Sequence, residues 1–204
     1  MKPILFSTDM VRAILDGRKT MTRRVCKLDT ANFDYDLKDK DYGPFLQNEY
    51  GDSINVKELA PYQVGDILYV RETWRCVKYD STDGDLSYGV EFKDGTRKYF
   101  EFDDNERFHQ FGKFAFKNGW QPSMFMPREA ARIWLEVTDV RVERLQEITY
   151  DDCLSEGMWD YGTDVDTLAA FQELWQSLNA KKGYGWDENP WGWVYEFKRV
   201  EVQA

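Results

Sequence analysis

Three apolar runs rich in β-formers, at 67–74, 133–142 and 193–202, set the frame of this 204-residue chain. Helix signals are bunched instead of interleaved with them: one lies at 8–15, and two follow each other at about 149–157 and 166–178. Strands and helices therefore do not alternate as βαβ units. The pattern predicts an α+β fold whose mixed or antiparallel sheet closes into a small barrel with helices around it. No internal repeat is evident. The length suits a single domain, 1–204, with insertions at about 29–60 and 76–120.

The local signals are specific. Ser7, Thr8 and Asp9 offer N-caps to a first helix whose apolar face is Met10, Val11, Ile14 and Leu15, and Gly17 supplies its C-terminal turn. Thr149 to Asp152 open a short helix in capping-box fashion, closed by Gly157. Leu168, Phe171, Leu174, Trp175 and Leu178 form the apolar face of the next helix. Asp94-Gly95 between two β-rich runs predicts a hairpin. In the final run, Trp193, Tyr195 and Phe197 alternate with Val194, Glu196 and Lys198. Residues 29–58 lack periodicity and read as a surface excursion.

Composition excludes several classes. Cys26, Cys76 and Cys153 are odd in number and widely spaced, which argues against a disulfide framework. With His109 as the sole histidine there is no CxxC and no HxxxH, so no zinc pattern, no His-based triad and no cofactor motif is expected. His109 itself reads as a solvated loop residue. No apolar run reaches the roughly 18–20 residues that span a bilayer, and the first residues turn polar too soon for a signal peptide, so a cytoplasmic protein without a membrane partner is expected. The net charge of −10 argues against a general nucleic-acid binder. It is unevenly spread: residues 12–27 carry six bases against Asp16, whereas 29–58 carry eight acids against three bases and 80–107 nine against four. A small basic face on an acidic body suits a phosphate or nucleotide.

The basic face centres on Gly17-x-Lys19-x-x-Thr22-x-Arg24. Glycine permits the left-handed turn that ends a helix. Thr22 and Arg24, two apart, share one face of a strand, and Lys19 joins them only if the backbone between them turns irregularly. A short basic segment after a helix also reads as plain solvated surface. Glu72 and Trp74, two apart at the end of the 67–74 run, offer a carboxylate and a ring to a nucleobase; alternatively Trp74 is core and Glu72 pairs with Arg71 or Arg128. Met126-Pro127-Arg128 lines the same cleft or packs a loop. Trp186, Trp191, Trp193 and Tyr195 read as core and rim.

Taken with Met10 to Leu15, Gly65-Asp66, Val70 to Trp74, Met126 to Arg128, Leu145 to Thr149, Glu156-Gly157, Asn189 to Trp191 and Glu196 to Val200, the motif resembles the ASCH domain, a relative of the PUA domain. That signature reads G-x-K-x-x-E-x-R, with threonine replacing the acid in some members. The blocks are most similar to the phage and prophage ASCH proteins, and they cover most of the chain outside 29–60 and 76–120. The resemblance implies a PUA-like β-barrel with a cleft beside the G-x-K segment, and binding of RNA or modified nucleosides. Small bacterial members with the threonine form are amidohydrolases that remove the acetyl group of N4-acetylcytidine. Their catalytic lysine, threonine and glutamate correspond here to Lys19, Thr22 and Glu156; Arg24, Glu72, Trp74 and Arg128 would bind substrate. Without the resemblance, Glu156 reads as a helix-end carboxylate, Thr22 as strand packing and Lys19 as a solvated base. Two further readings stand beside an amidohydrolase: a non-catalytic module that binds RNA or a modified base, and a phage accessory protein whose acidic surface engages a host protein. A ribonuclease fits less well, for want of a catalytic histidine.

Overall fold

A computed structural model describes residues 1–28, 33–34, 45–47, 53–78, 87–101, 105–115, 117 and 119–202. In chain order they form β1 (Lys2–Leu5), α1 (Thr8–Leu15), β2 (Met21–Val25), β3 (Phe33–Asp34), β4 (Phe45–Gln47), β5 (Ser53–Asn55), β6 (Ile67–Arg71), β7 (Trp74–Lys78), β8 (Ser87–Phe92), β9 (Arg97–Glu101), α2 (Asn105–Ala115), β10 (Trp134–Arg144), α3 (Tyr150–Ser155), α4 (Asp164–Asn179) and β11 (Trp191–Val200). The protein is thus mixed α+β, as its signals predict. Among the described residues each sheet runs from one edge strand to another, and no pairing closes a barrel. The residues group into two compact units, one of Met1–Arg12, Ile67–Leu135 and Val200–Ala204, the other of Ala13–Asp66 and Glu136–Arg199.

In the first unit β1 runs parallel to β6, with Lys2 opposite Leu68 and Leu5 opposite Arg71. The expected 67–74 strand is two strands. β6 stops at Arg71 because the Glu72 amide donates to Met126 Sδ (3.3 Å), and Trp74 restarts pairing by exchanging backbone bonds with Gln121. Strand alternation therefore does not carry from Glu72 to Trp74. The hairpin at Asp94-Gly95 forms as predicted, joining β8 to β9, and β7 adds to its other edge. Trp74, Val90, Phe92, Phe111 and Met126 build this unit's core. His109 lies exposed on α2, a helix and not a loop.

In the second unit β2 pairs antiparallel with β11, Thr22 opposite Tyr195 and Arg24 opposite Trp193. Trp191 through Tyr195 are all buried, so β11 is covered on both faces there and alternates only beyond Tyr195. The buried stripe of α4 is Thr167, Phe171 and Trp175, at i, i+4 spacing; Leu174 and Leu178 point to solvent instead of joining it. Phe171 and Trp175 close a core with Leu145, Ile148 and Cys153. Within the expected 29–58 excursion, β3, β4 and β5 form a small antiparallel sheet. The rest of that segment to residue 52, and 80–86 and 102–104 of the second acidic stretch, lie outside the described residues.

Candidate functional site

The site begins where α1 ends. Gly17 takes φ 76°, and the Arg18 and Lys19 amides both donate to the Ala13 carbonyl (2.9 and 3.0 Å), so the backbone doubles back before β2 begins. This is the irregular turn that brings Lys19 toward β2. Lys19 then makes an isolated backbone bridge to Glu156, and the Thr20 amide donates to the Ser155 carbonyl (2.8 Å). Glu156 is held from its own side by α3. Thr149 caps that helix through the predicted capping box with Asp152, and Glu156 is its C-terminal cap. Gly157 follows at φ 89°, and a Cβ there would sit 2.9 Å from Ala13 Cβ and 3.0 Å from Lys19 Cβ. Only glycine lets the chain leave α3 over the lysine stem.

Lys19 is buried, and its Nζ donates to the carbonyls of Met21 and Glu156 (2.7 Å each) and to Glu156 Oε2 (2.8 Å). The Glu156 side chain is only 7% exposed. Its second oxygen, Oε1, faces Arg23 at 3.6 Å without a hydrogen bond. Arg23 is itself buried and joins Asp152 (2.8 Å) to Glu143 (3.0 Å). Burial pulls the Lys19 ammonium below the ordinary lysine range, Glu156 opposes that, and the like charges of Arg24 and Arg23 add to it. Burial likewise holds Arg24 below its ordinary value, against the pull of Glu156, Tyr62 and Tyr195. The Thr22 hydroxyl is buried with no hydrogen-bond partner among the described residues. An ion pair, a carboxylate oxygen without a hydrogen bond and a hydroxyl without a partner among the described residues thus occur in the second unit.

Arg23 and its carboxylates drew no functional reading from sequence. Arg23 was one base among six in a short run, and Asp152 had a complete role as a cap residue. Burial opposes the Asp152 charge, but bonds from Thr149 and the Arg23 guanidinium prevail and hold its carboxyl below the ordinary aspartate value. A depressed carboxyl stabilises the fold at pH above its unfolded value, and that stability is lost as pH falls through the folded value. Thermal melts should therefore show Tm dropping below about pH 4, and Asp152→Asn should flatten that limb. An unchanged acid limb in the variant would remove Asp152 as its source.

Glu72, Trp74 and Arg128 belong to the first unit. Glu72 is buried and accepts from Arg132 Nε and Nη2 (2.8 and 2.7 Å), so its partner is neither Arg71 nor Arg128. Burial raises its carboxyl while Arg132 opposes the rise. Trp74 has no exposed surface and packs on Phe111 and Phe114, leaving no ring face for a base. The Arg128 guanidinium lies over the Trp134 ring at 5.9 Å, and Met126 is fully buried. Trp191, Trp193 and Tyr195 are core residues.

Among the described residues no cluster of three or more His, Cys, Asp or Glu side chains could hold a metal ion, and no helix is long and apolar enough to cross a membrane. The three cysteines are free, and burial pushes the Cys153 thiol up to about 12.

No protein-family model matches the chain. No curated protein matches it either. A solved structure described as the high-resolution crystal structure of an ASCH domain from Lactobacillus crispatus JV V101 aligns with 97% of this chain and 78% of its own, at 13% identity and a TM-score of 0.43. At those values it carries no residue roles across.

Proposed function

We propose that this chain is an ASCH-type, PUA-like protein that binds a modified pyrimidine nucleoside, free or within RNA, beside Lys19 and Glu156, and hydrolyses its N4-acyl amide. The observation that carries this reading is the 2.8 Å contact between Lys19 and Glu156, 137 residues apart in sequence. They are two of the three side chains that the sequence resemblance assigns to catalysis, and Thr22, the third, lies on the same strand as Arg24, its hydroxyl buried and without a hydrogen-bond partner among the described residues.

The chemistry uses that pair as a proton relay. Lys19 passes its proton across the short contact to Glu156 and becomes a neutral amine, which burial favours. The amine accepts the Thr22 hydroxyl proton as the oxygen bonds to the acyl carbon. Arg24 offers its positive charge to the oxyanion that forms. The carbon–N4 bond then breaks, and the proton on Glu156 goes to N4, releasing cytidine. Water, deprotonated by Glu156, attacks the acyl-threonine; the acid leaves, Thr22 regains its proton from Lys19, and the proton on Glu156 returns to Lys19 to restore the ion pair. The sum is one amide bond and one water consumed per acid and amine released. Glu72, Trp74 and Arg128, engaged in the first unit, enter no step.

One observation favours a second reading, a non-catalytic module at the same place. All three Lys19 donors already have acceptors, an environment that also suits a permanent ammonium. Turnover separates the two readings. Purified protein should release cytidine from N4-acetylcytidine, and release should vanish in Lys19→Ala and in Thr22→Val. The second variant matters because it removes no charge. Absence of release from acetylated and related N4-acyl nucleosides would reject the hydrolase, and calorimetric titration with the same nucleosides would then test binding alone.

A further inference from the structure

Three residues past Glu156 the chain does something that the proposed chemistry does not use. Trp159 is 62% exposed, although its neighbour Met158 turns inward onto the Leu145–Trp175 core. A tryptophan left in water on an otherwise tied backbone is unusual, because it is the largest apolar side chain. The segment is well anchored: Met158 donates its amide to Cys153, Tyr161 to the Thr167 hydroxyl and Gly162 to Asp160. Trp159 is therefore presented to solvent by a fixed loop. One face of its ring is occupied, since the Arg18 guanidinium lies 4.0 Å from the ring centroid.

Arg18 is positioned as firmly as the ring. It donates to the Gly157 carbonyl (2.9 Å) and pairs with Asp16 (3.2 Å), so its plane is held and its charge partly offset. That arrangement suits a stacking member better than a phosphate clamp, which needs the guanidinium fork unoccupied. Both partners adjoin the pair described above: Arg18 precedes Lys19, and three residues from Glu156 to Trp159 span at most about 11 Å. Tyr161 is also exposed on the same loop.

We infer that Trp159, backed by Arg18, is the stacking platform for a nucleobase of the ligand taken at the Lys19–Glu156 pair. The inference rests on the nucleoside reading above and adds the surface that holds the ring. Stacking on an aromatic face is tolerant of base identity, whereas the buried pair addresses the N4 substituent. The two elements would divide recognition between general grip and chemical selection.

The test titrates N4-acetylcytidine, and a short single-stranded RNA carrying one such residue, into wild type, Trp159→Ala, Trp159→Phe and Lys19→Ala at fixed salt. Trp159→Ala should weaken binding about 5- to 150-fold, the range for loss of one stacked base, and Trp159→Phe should restore most of it. The melting temperature of Trp159→Ala should stay near that of wild type, since the ring is exposed. Wild-type affinity in Trp159→Ala alongside loss in Lys19→Ala would overturn the platform and leave the nucleoside site standing. Equal weakening in Trp159→Ala and Trp159→Phe would overturn it too, because a ring is retained in the second. No binding of either ligand by wild type would overturn both readings together.

Discussion

Replacing Lys19 by methionine is expected to destabilise the protein by about 3 kcal/mol or more, the cost of breaking a buried ion pair from one side. Methionine nearly matches the lysine stem in length, so the loss would come from charge and donors and not from a cavity. Glu156 would keep its carboxylate at 7% exposure with the charges of Arg23, 3.6 Å from the other oxygen, and of Arg24 in partial compensation. Two backbone carbonyls, of Met21 and Glu156, would lose their donor as well. The double variant Lys19→Met with Glu156→Gln should recover part of that loss, because it no longer strands a charge. Denaturant midpoints for the wild type, both single variants and the double variant measure the coupling directly. A single-variant effect under about 1 kcal/mol would mean the pair is solvated and the site as described is not formed.

Thr22→Val is expected to move stability and turnover in opposite directions. The threonine hydroxyl is buried and unpaired among the described residues, and such a group costs about 1–3 kcal/mol of desolvation. Valine fills nearly the same space on β2 opposite Tyr195 without that cost, so stability should hold or rise. Release of cytidine should fall by at least about 10²-fold, since the proposed nucleophile is gone. A residue kept at a stability cost is what a reacting group looks like. Loss of stability with unchanged turnover would instead make Thr22 a packing residue.

Much of the local structure was legible from the chain. The Ser7–Gly17 helix, the Thr149 capping box and the Asp94-Gly95 hairpin all follow from short-range chemistry: caps, turns and periodicity. The misreadings share a cause. A run of β-formers at 67–74 cannot reveal that Met126, far along the chain, takes the Glu72 amide out of the ladder and splits the strand. Apolar spacing in α4 could not show that Leu174 and Leu178 stay in water while Leu168, Phe171 and Trp175 pack inward, because how much of a helix is covered depends on what lies against it. His109 sits among polar residues that look like a loop, yet they lie on α2.

The sequence by itself determined which residue types stand at the end of α1 and after α3: a glycine able to turn left-handed, a lysine, a threonine, an arginine, and a glutamate ahead of a second glycine. Only the tertiary structure decided that Lys19 and Glu156 touch, that Arg23 lies 3.6 Å from the second oxygen of that carboxylate, and that Trp74 is core while Trp159 is left in water. The physical reason is range. Caps and turns are settled by neighbours within a few residues, whereas burial, and with it every shifted charge in the site, depends on groups more than a hundred residues away.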